Sequence, residues 1–455
     1  MQLSGSRVLI VGMARSGVAA AQALVKRGMQ VTIYDAKEAD FLREAAAQLV
    51  GYNVDMQLGQ ELSITPDQFH LAVISPGVPV TSEAVQKVRA AGIPIIGEVE
   101  LAYRLKSTGV ELAAITGTNG KTTTTALLAE ILKQGGINST VAGNIGVPLV
   151  SVIDEMAQGV ISLEVSSFQL ETVRDFRPRV SAILNITPDH LDRHGTMENY
   201  IEAKASILAC QGPSDFTVLN YEDNLVRELA HRARSQVIYF STRQLLSQGV
   251  FIENGQIVAQ LDKRYHLGGR DEVLLRGEHN LENILCAVGA ALSLGVNQEA
   301  IRNTLATFPG VRHRLEEVAS IAGVLYINDS KGTNPDSTIK ALQSFTRPVV
   351  LIAGGRHKGA DLTALARIIA GQVSHLILVG EAKEIIREKV MEQEFHNIHM
   401  VERFSEAVRQ AHELARPGDV VLLSPACASW DMFNNYEERG DLFCQLVKSL
   451  EGEQR

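Results

Sequence analysis

The amino-acid sequence predicts an α/β protein of three domains, each built on a parallel sheet. Its 455 residues are too many for one compact core and fit about three domains of ordinary size. Short β-branched runs such as "RVLIVG" and "QVTIYD" alternate with amphipathic helical stretches such as residues 18–27. This alternation is typical of parallel sheets with helices packed on their faces. Polar clusters repeatedly follow the apolar runs, as expected where ligands bind at the carboxyl ends of parallel strands.

Three segments follow from the order of the apolar runs. Residues 1–97, with "RVLIVG", "LAVISPG" and "IPIIG", are predicted to form a Rossmann-like domain. Residues 98–310 open with "VELAAITGTNGKT" and end where Pro309 and Gly310 break a helix; we expect a P-loop ATPase-like domain there. Residues 311–455, with "PVVLIAGG", "HLILVG" and "DVVLLSPA", are predicted to form a second Rossmann-like domain.

The composition narrows the class of partner and the compartment. A formal charge of −9 argues against general binding to nucleic acid, which needs clustered Lys and Arg. No run of about 18 apolar residues suggests a membrane span, and the first strand begins at Arg7, which leaves no room for a signal peptide. The cysteines lie far apart without a CxxC pair, so we expect ordinary buried thiols in a cytoplasmic protein.

The stretch "TGTNGKTTTT" is the strongest single indication of a ligand. A strand, a glycine turn, Lys121 and a helix occur in the order of a phosphate-binding loop, although Ile115 stands where the common motif has its first glycine. In this interpretation the backbone N–H groups of residues 116–120 face phosphate, Lys121 adds charge and Thr122 offers a hydroxyl to Mg²⁺. A simple Gly-Asn turn is the alternative, but the four threonines that follow are poor helix formers and argue against it.

The stretch "VGMARSG" near the N-terminus resembles a dinucleotide-binding turn with one departure. Ala14 occupies the place of the glycine that lets a pyrophosphate approach, so a redox dinucleotide is disfavoured. Asp35 ends the second predicted strand, where it either binds a ribose hydroxyl or only ends the strand at a solvent turn. Another nucleotide could bind through Asp35 and Lys37, with residues 13–16 on its phosphates.

Two residues in the second segment are candidates for a metal site. Glu164 and His190 each end an apolar strand in the same segment as the phosphate loop. A carboxylate and an imidazole there could complete a divalent-metal site, or each could be structural. Lys204 lies in the amphipathic run "NYIEAKASILA", and its own pattern is that of a solvated helix lysine.

The third segment carries two further polar turns. "NDSKGTNPDS" places Asp329, Lys331 and Thr333 after an apolar run. "RHRLE" puts two arginines beside a predicted hinge, where they either face water or reach phosphoryl groups across a closing cleft. "SPACASWDMFNNYEERG" holds the single tryptophan of the chain, and it fits a binding turn and a packed corner equally well.

Taken together, these motifs resemble those of the Mur ligases, the ATP-dependent amide ligases of peptidoglycan precursor synthesis. The resemblance spans all three segments and rests on "TGTNGKT", "LEVSSFQLE", "ILNITPDHLDRH", "EHNLENILCA", "HRLE", "NDSKGTNP" and "LLSPACASWD", in that order. Within the family the chain looks most like the branch that adds D-glutamate to UDP-N-acetylmuramoyl-L-alanine. The "GMARSG" and "SPG" turns, "SPACASWD" and the absence of a "DNPR" string favour that branch.

The resemblance implies an ADP-forming ligase that acts through an acyl phosphate, with ATP and two Mg²⁺ ions, as a monomer. The ATP phosphates would be held by Gly117, Thr118, Asn119, Gly120, Lys121, Thr122 and Thr123. Further ATP contacts would come from Asn283, Arg314 and Asp329. The metal ions would lie among Thr122, Glu164, His190 and a carbamylated Lys204. The catalytic residues would be Lys121, Glu164, His190, Lys204 and Arg314.

The resemblance also implies where the two other substrates bind. The UDP-linked substrate would contact Ala14, Arg15, Ser16, Asp35, Lys37, Ser75 and Gly77, with Asn144 and Ser166 nearer its reacting arm. D-Glutamate would be held by Thr333, Lys358, Ser429, Trp430 and Tyr436. Three rival hypotheses remain: a Mur-type ligase for another amino acid, a nicotinamide-dependent oxidoreductase built on the first segment, and a nucleotide-regulated binding module without turnover.

Overall fold

The computed structural model describes residues 5–144, 146–275, 277–357 and 359–453. These residues form three β-sheets flanked by helices, which confirms the predicted three-domain α/β fold with parallel-dominated sheets. The chain divides into two compact units. The first holds residues up to Glu272 together with Glu282–Ala306, and the second holds Val273–Leu281 and the residues from Thr307 onward. No described helix combines the length and the apolar character that a membrane span requires.

The first sheet is fully parallel, with the strand order β3-β2-β1-β4-β5. Its strands are β1 (Arg7–Val11), β2 (Gln30–Asp35), β3 (Val54–Leu58), β4 (Leu71–Ile74) and β5 (Ile95–Gly97). Its helices are α1 (Arg15–Val25), α2 (Arg43–Ala47) and α3 (Glu83–Ala90), with a 3₁₀ turn at Ala39–Leu42. The strand order reverses between β1 and β4, and ligands bind beyond the carboxyl ends of strands at such a switch point.

The second sheet contains nine strands among the described residues, in the order β14-β13-β12-β11-β10-β9-β6-β8-β7. The strands are β6 (Gly109–Thr116), β7 (Ser139–Gly143), β8 (Gln158–Glu164), β9 (Val180–Ile183), β10 (Phe216–Asn220), β11 (Gln236–Ser241), β12 (Gly249–Glu253), β13 (Gln256–Gln260) and β14 (Arg264–Gly269). The helices are α4 (Glu98–Leu105), α5 (Lys121–Gln134), α6 (Leu149–Val152), α7 (Ser167–Leu170), α8 (Leu191–His194), α9 (Met197–Ala205), α10 (Asn224–Glu228), α11 (Glu278–Ser293) and α12 (Gln298–Thr307). Short 3₁₀ turns occupy Ser206–Leu208, Leu229–Arg232 and Arg270–Glu272.

The antiparallel end of the second sheet was not predicted. Strands β12, β13 and β14 pair antiparallel, and β12 joins the parallel part through β11. Asn254 has a φ of 50° and Gly255 a φ of 77° in the turn between β12 and β13, as two-residue hairpin turns require. This extension lies several strands away from β6, the strand that leads into the phosphate loop.

The third sheet has the strand order β15-β16-β20-β17-β18-β19, with only the β15 and β16 pair antiparallel among its described strands. Its strands are β15 (Glu316–Ile321), β16 (Val324–Asn328), β17 (Val349–Gly354), β18 (Val373–Val379), β19 (Ile398–Met400) and β20 (Val420–Ala426). Its helices are α13 (Pro335–Gln343), α14 (Thr363–Gln372), α15 (Lys383–Met391), α16 (Phe404–Leu414) and α17 (Tyr436–Glu453). Asn334 caps α13 through the Ser337 N–H, and Pro335 supplies a preset φ at its first turn.

The first and second sheets share one hydrophobic core within the first unit. Buried side chains of β1 and α1, such as Ile10 and Leu24, belong to the same apolar cluster as Leu112 of β6 and Leu163 of β8. Burying such side chains stabilises a fold by roughly 1.5–3 kcal/mol each, so the two sheets are held together by packing rather than by a linker alone. The loops at their strand ends are therefore fixed relative to each other.

Candidate active site

The phosphate loop connects β6 to α5 within the first unit. Gly117 and Gly120 have φ values of 155° and 85°, which glycine adopts without steric strain. A Cβ atom on Gly120 would lie 2.1 Å from Asn283 Oδ1, so the loop packs closely against this side chain. The structure thus brings Asn283, predicted to contact ATP, to the start of α5.

Asn185, which follows β9, fixes the conformation of this loop. Its backbone carbonyl accepts the N–H of Thr118 at 2.9 Å, and its Oδ1 accepts the N–H of Asn119 at 2.8 Å. The expectation that all N–H groups of residues 116–120 face phosphate is therefore wrong for these two. The donors that remain for an anion are those of the first turn of α5, because no carbonyl within the helix accepts them.

Two lysine side chains converge on the carbonyl of Gly117. Lys121 Nζ donates to this oxygen and to Thr118 O, each at 2.8 Å, and Lys204 Nζ donates to Gly117 O at 2.7 Å. Lys204 is only 1% exposed, so its interpretation as a solvated helix lysine is wrong. Its helix α9 packs this face inward. Burial, and then the charge of Lys121, lower the pKa of Lys204 well below its ordinary value.

Tyr200 completes the surroundings of Lys204. Its ring centroid lies 4.5 Å from Lys204 Nζ, and its hydroxyl lies 3.1 Å from Thr118 Oγ1. The same threonine Oγ1 accepts the N–H of Thr187 and donates to the Thr187 carbonyl. The loop, α9 and the segment after β9 are thereby tied into one polar network, so the lysine amine has a fixed position.

Glu164 ends β8 and stands beside Ile115 of β6 in the parallel register. Its Oε1 accepts a hydrogen bond from Asn144 Nδ2 at 2.8 Å. Its Oε2 is buried and makes no hydrogen bond to any described residue. A buried carboxylate oxygen without a partner is costly, and a cation would satisfy it.

His190 adopts a φ of 54°, which is uncommon for a residue with a side chain and costs backbone energy. It is the N-cap of the one-turn helix α8, and its Nε2 lies 3.5 Å from Asp189 Oδ2. The edge of its ring contacts Phe168, with the ring centroids 4.8 Å apart. The strained backbone and the ring contact together set the direction in which the imidazole points.

The side chains at this site fit a Mg²⁺ ion that binds together with substrate. Among the described residues no three His, Cys, Asp or Glu side chains converge as a preformed metal cage. Mg²⁺ is commonly held by one or two carboxylates together with substrate phosphates and water. The unpaired Glu164 Oε2 and the half-exposed His190 are compatible with that mode.

A cavity of about 710 Å³ lies at the switch point of the first sheet. Five of the residues predicted for the UDP-linked substrate line it: Ala14, Asp35, Lys37, Ser75 and Gly77. Cavities of roughly 300–1,000 Å³ are typical of small-molecule sites. Asp35 accepts the N–H of Met13 at 2.8 Å through Oδ2 and the N–H of Lys37 at 3.0 Å through Oδ1. The carboxylate thus fixes the first glycine loop, and each oxygen keeps a lone pair for a ligand.

Three of the other residues predicted for this substrate have visible structural partners. Arg15 donates from its guanidinium to the carbonyl of Gly146, in the loop after β7. Asn144 in that loop binds Glu164 through both its side chain and its backbone N–H. Ser166 forms a capping box with Gln169 at the start of α7. Asn144 therefore lies beside the candidate metal ligand, whereas the Ser166 side chain is engaged with its own helix.

The second unit carries a buried carboxylate at the carboxyl end of β16. Asp329 Oδ2 accepts from Ser424 Oγ at 2.7 Å, and Oδ1 accepts the N–H of Leu315 at 3.3 Å. Burial raises the pKa of Asp329 to about 6, and the nearby Arg314 opposes that rise. The Nε of Arg314 is buried without a hydrogen-bond partner among the described residues. Both are predicted ATP contacts.

Four of the residues predicted for D-glutamate follow strands of the same sheet and differ in exposure. Ser429 is 2% exposed, whereas Trp430 is 61% exposed. Tyr436 begins α17, and the amine of Lys331 lies 5.2 Å from its ring centroid. Thr333 donates its N–H to Lys331 O. Lys358, also predicted for this pocket, lies outside the described residues.

Comparison with known proteins adds the decisive observation. The chain is 49% identical to the "UDP-N-acetylmuramoylalanine--D-glutamate ligase" of Pelotomaculum thermopropionicum over 98% of each chain. It is 44% identical to the ligase of the same name from Clostridioides difficile, over 99% of this chain and 100% of the relative. The chain belongs to the Mur ligase family. Profiles of the MurD-like N-terminal domain, the middle domain and the glutamate ligase domain of this family match residues 6–97, 115–291 and 313–427.

Solved structures of Mur ligases share the fold. UDP-N-acetylmuramate-alanine ligase from Thermotoga maritima matches with a TM-score of 0.61 at 20% identity, over 98% of this chain and 99% of that chain. MurF from Acinetobacter baumannii matches with a TM-score of 0.60 at 22% identity, over 96% of this chain and 93% of that chain. Identities this low establish the architecture alone.

Several residues that shape the site of this Mur ligase were missed by reasoning from the sequence. Asn185 and Tyr200 act through hydrogen bonds across distant segments. Arg439 is 3% exposed and donates to the Ser330 carbonyl at 2.9 Å from within α17. Asn185 follows a predicted strand, as other candidate site residues do, and this position could have identified it from the sequence. Arg439 carried no signal, because a helical arginine ordinarily faces solvent.

Proposed function

We propose that this Mur ligase joins D-glutamate to UDP-N-acetylmuramoyl-L-alanine, with ATP converted to ADP and phosphate, in peptidoglycan precursor synthesis. The observation that carries the proposal is the 49% identity to a ligase of that name over 98% of both chains. A nucleotide-sized cavity and a phosphate loop that share one compact unit support it. An oxidoreductase is not favoured, because Ala14 replaces the glycine that a pyrophosphate approaches.

The reaction requires an activated carboxylate, because a carboxylate in water is a poor electrophile. The γ-phosphoryl group passes to the L-alanine carboxylate, and the resulting acyl phosphate is attacked by the D-glutamate amine. The tetrahedral intermediate then releases phosphate and leaves the amide. Lys121 and the N–H groups at the start of α5 supply positive potential to the transferring phosphoryl group.

Glu164, His190 and Thr122 are the residues we assign to Mg²⁺, together with Lys204 once it is carbamylated. Mg²⁺, when bound, supplies positive charge that offsets the repulsion between phosphoryl and carboxylate oxygens. The unpaired Oε2 of Glu164 supports this assignment, since it lacks a partner among the residues that the structure describes. Thr122 supports it by position, because it lies in the first turn of α5 and is 5% exposed.

The surroundings of Lys204 support its carbamylation, in addition to the family resemblance. A neutral amine can attack CO₂ to form an N–C bond and release one proton, whereas an ammonium ion lacks the lone pair. Burial lowers the pKa of Lys204, which favours the reactive neutral form. The resulting carbamate is an anion, and we assign it to the metal ions that Glu164 and His190 also face.

The remaining assignments divide the substrates between the two units. We assign the UDP end of the substrate to the cavity that Asp35 and Ser75 line. We assign its reacting arm to Arg15, Ser16, Asn144 and Ser166. The second unit binds D-glutamate through Thr333, Lys358, Ser429, Trp430 and Tyr436, and ATP through Arg314 and Asp329. We place the domain boundaries at residues 1–97, 98–310 and 311–455, and expect a monomer that acts in the cytoplasm.

A coupled assay of ADP release tests the function. Purified protein is supplied with ATP, Mg²⁺, UDP-N-acetylmuramoyl-L-alanine and one amino acid at a time: D-glutamate, L-glutamate, L-lysine or diaminopimelate. We expect ADP release only with D-glutamate, and mass spectrometry of the product should show one added glutamyl residue. Comparable turnover with L-lysine or diaminopimelate would assign the chain to another branch of the family.

A matched pair of variants tests the carbamate. Lys204→Ala should lose ligation while retaining the thermal unfolding midpoint within a few degrees. Lys133→Ala, in the exposed last turn of α5, is the control and should keep full activity. Full activity of the Lys204 variant would exclude the carbamate role.

A further inference from the structure

Arg193 lies three residues after His190 on the one-turn helix α8 and is not needed by the chemistry described above. Its side chain is only 14% exposed. Such burial is unusual for arginine and is tolerated only where the guanidinium is well paired. Its partners lie on both sides of the join between the first and second sheets.

On the side of the first sheet, Arg193 binds the turn that follows β4. Nη1 donates to Pro76 O at 2.7 Å, and Nη2 donates to Val78 O at 3.3 Å. The turn is closed by the Val78 N–H, which donates to Ser75 O at 2.9 Å. Ser75, Gly77 and Val78 line the 710 Å³ cavity, so Arg193 holds a wall of the nucleotide cavity from outside.

On the side of the second sheet, Arg193 is held by a charge and a ring. Nη2 also donates to Glu171 Oε2 at 3.0 Å, and the guanidinium carbon lies 4.0 Å from the centroid of Phe168. Phe168 contacts His190 edge to face, and it stacks on His194 with centroids 5.3 Å apart. The guanidinium and the candidate catalytic imidazole thus share one aromatic neighbour.

The geometry points to Arg193 as a positioning residue that couples occupancy of the nucleotide cavity to the placement of His190. This inference rests on the proposed function. A ligand in the cavity fixes residues 75–78, and their carbonyls fix the guanidinium. The guanidinium fixes the ring of Phe168, which in turn positions His190. Coupling between two sites is reciprocal, so a nucleotide triphosphate at the phosphate loop must tighten the UDP-linked substrate by the same factor.

The planar fork of arginine is what this link requires. It donates in fixed directions to two carbonyls and one carboxylate while its flat face covers a ring. A lysine in its place would keep the charge but lose the simultaneous contacts. The substitution Arg193→Lys therefore separates the geometry of the link from its charge.

The chain offers a matched control in Arg27. This residue follows α1 and pairs with Asp154, which follows α6, so it also joins the first sheet's helices to the second sheet's. Its side chain is 26% exposed, and it belongs neither to the cavity lining nor to the described contacts of Phe168. Arg27→Lys removes the two-point contact of this ion pair without touching the path to His190.

Isothermal titration calorimetry on the full chain tests the inference. UDP-N-acetylmuramoyl-L-alanine and a non-hydrolysable ATP analogue with Mg²⁺ are each titrated alone and in the presence of the other. In the wild type we expect each ligand to tighten the other by roughly 5- to 50-fold. Arg193→Lys should reduce this factor to below about 2, with each affinity measured alone changed by less than about threefold, and Arg27→Lys should keep the wild-type factor.

Steady-state kinetics supply a second readout. Because the coupling acts on placement of His190, Arg193→Lys should lower kcat about tenfold or more while the KM for D-glutamate stays near the wild-type value. Phe168→Leu removes the shared ring without unpairing a charge and should reproduce the loss of coupling. It also covers the case in which Arg193→Lys fails to fold.

The outcomes separate the inference from the proposed function. Wild-type coupling in both Arg193→Lys and Phe168→Leu, or an equal loss in Arg27→Lys, would overturn the inference while the ligase activity stands. Binding of both ligands to the wild type without mutual tightening would overturn it as well. No binding of the UDP-linked substrate to the wild type would instead overturn the proposed function.

Discussion

The first glycine loop and the phosphate loop occupy equivalent positions in their sheets, but side chains of different charge hold their backbones in place. Each connects a central parallel strand to a helix, β1 to α1 and β6 to α5. In the first loop a carboxylate, Asp35, accepts the backbone N–H of Met13. In the phosphate loop an amide, Asn185, performs the corresponding task for Asn119. The side chain from the neighbouring strand, rather than the loop itself, distinguishes the two sites.

Charge gives the physical reason for this difference. An amide can accept one backbone N–H and donate to a carbonyl, as Asn185 does with Asn119 O at 3.2 Å, without placing negative charge near a polyphosphate. A carboxylate is acceptable in the first loop, where ribose hydroxyls and base N–H groups are the expected partners. Lys121 on Gly117 O adds to the contrast, since it brings positive charge to the phosphate loop.

Lys121→Ala should have the largest effect on this comparison. The variant removes the cation from the phosphate loop, and we expect kcat to fall roughly 10³-fold, the scale of a lost charge-stabilising group in phosphoryl transfer. Binding of the UDP-linked substrate to the first loop should change less than about threefold by calorimetry. A kcat within about tenfold of wild type would show that Lys121 does not act on the transferring group.

Gly17→Ala should disrupt the first loop alone. A Cβ at this position would lie 2.0 Å from Gly12 O and 2.9 Å from Ser75 Oγ, and the backbone carbonyl has no room to yield. We expect a loss of about 3 kcal/mol in the free energy of unfolding by urea denaturation. Gly77→Ala is the control, because a Cβ there meets no atom within 4 Å. Equal stability of the two variants would contradict the packing argument.

Exchanging the two anchoring side chains tests the charge argument directly. Asn185→Asp places a carboxylate against Asn119 O and near the phosphates, so ATP affinity should fall roughly 10²-fold, or about 2.7 kcal/mol. Asp35→Asn leaves one side-chain oxygen, in place of two, to accept the Met13 and Lys37 N–H groups. It should leave ATP affinity unchanged. The result is read from ATP titrations of both variants, and similar losses in both would refute the distinction.

We expect the smallest effect from Glu98, which lies where the first and second sheets meet. This buried residue begins α4 directly after β5, and its Oε1 accepts the N–H of Val150 in α6 at 2.7 Å. Burial raises its pKa from 4.5 to about 7, so the folded state binds the proton more tightly than the unfolded chain. The contribution of this residue is therefore fully present below about pH 4.5 and is lost as the pH rises through about 7.

Glu98→Gln removes that titration. The stability of the variant relative to wild type should increase by about 2 kcal/mol between about pH 5 and pH 8, as measured by urea denaturation at both values. The control is Glu83→Gln, which makes the same substitution at an exposed carboxylate of α3. If the stability difference between Glu98→Gln and the wild type did not change over this range, the carboxylate would be solvated by water or accommodated by a movement of α6.

Sequence reasoning predicted the features that are encoded locally. The three α/β units, the glycine loop before α5 and the strand-end position of Glu164 each follow from short patterns of residues. The prediction that His190 ends a strand was wrong, because β9 ends at Ile183 and His190 immediately precedes α8. Burial of Lys204 could not be predicted in this way, because α9 spans only Met197–Ala205 and its inward face is chosen by packing against the phosphate loop. Asn185 and Arg193 escaped for a related reason. Their roles depend on partners that lie 66 and 117 residues away.

The folded-back position of Lys121 has a consequence for measured nucleotide affinities. Its amine already donates to two loop carbonyls, each a net interaction of about 0.5–1.5 kcal/mol, before any phosphate arrives. An incoming triphosphate exchanges those bonds for new ones, so a dissociation constant reports a difference between two lysine positions. Ligands that leave the amine on its carbonyls escape this exchange, and they form a distinct chemical class of inhibitor for the same loop.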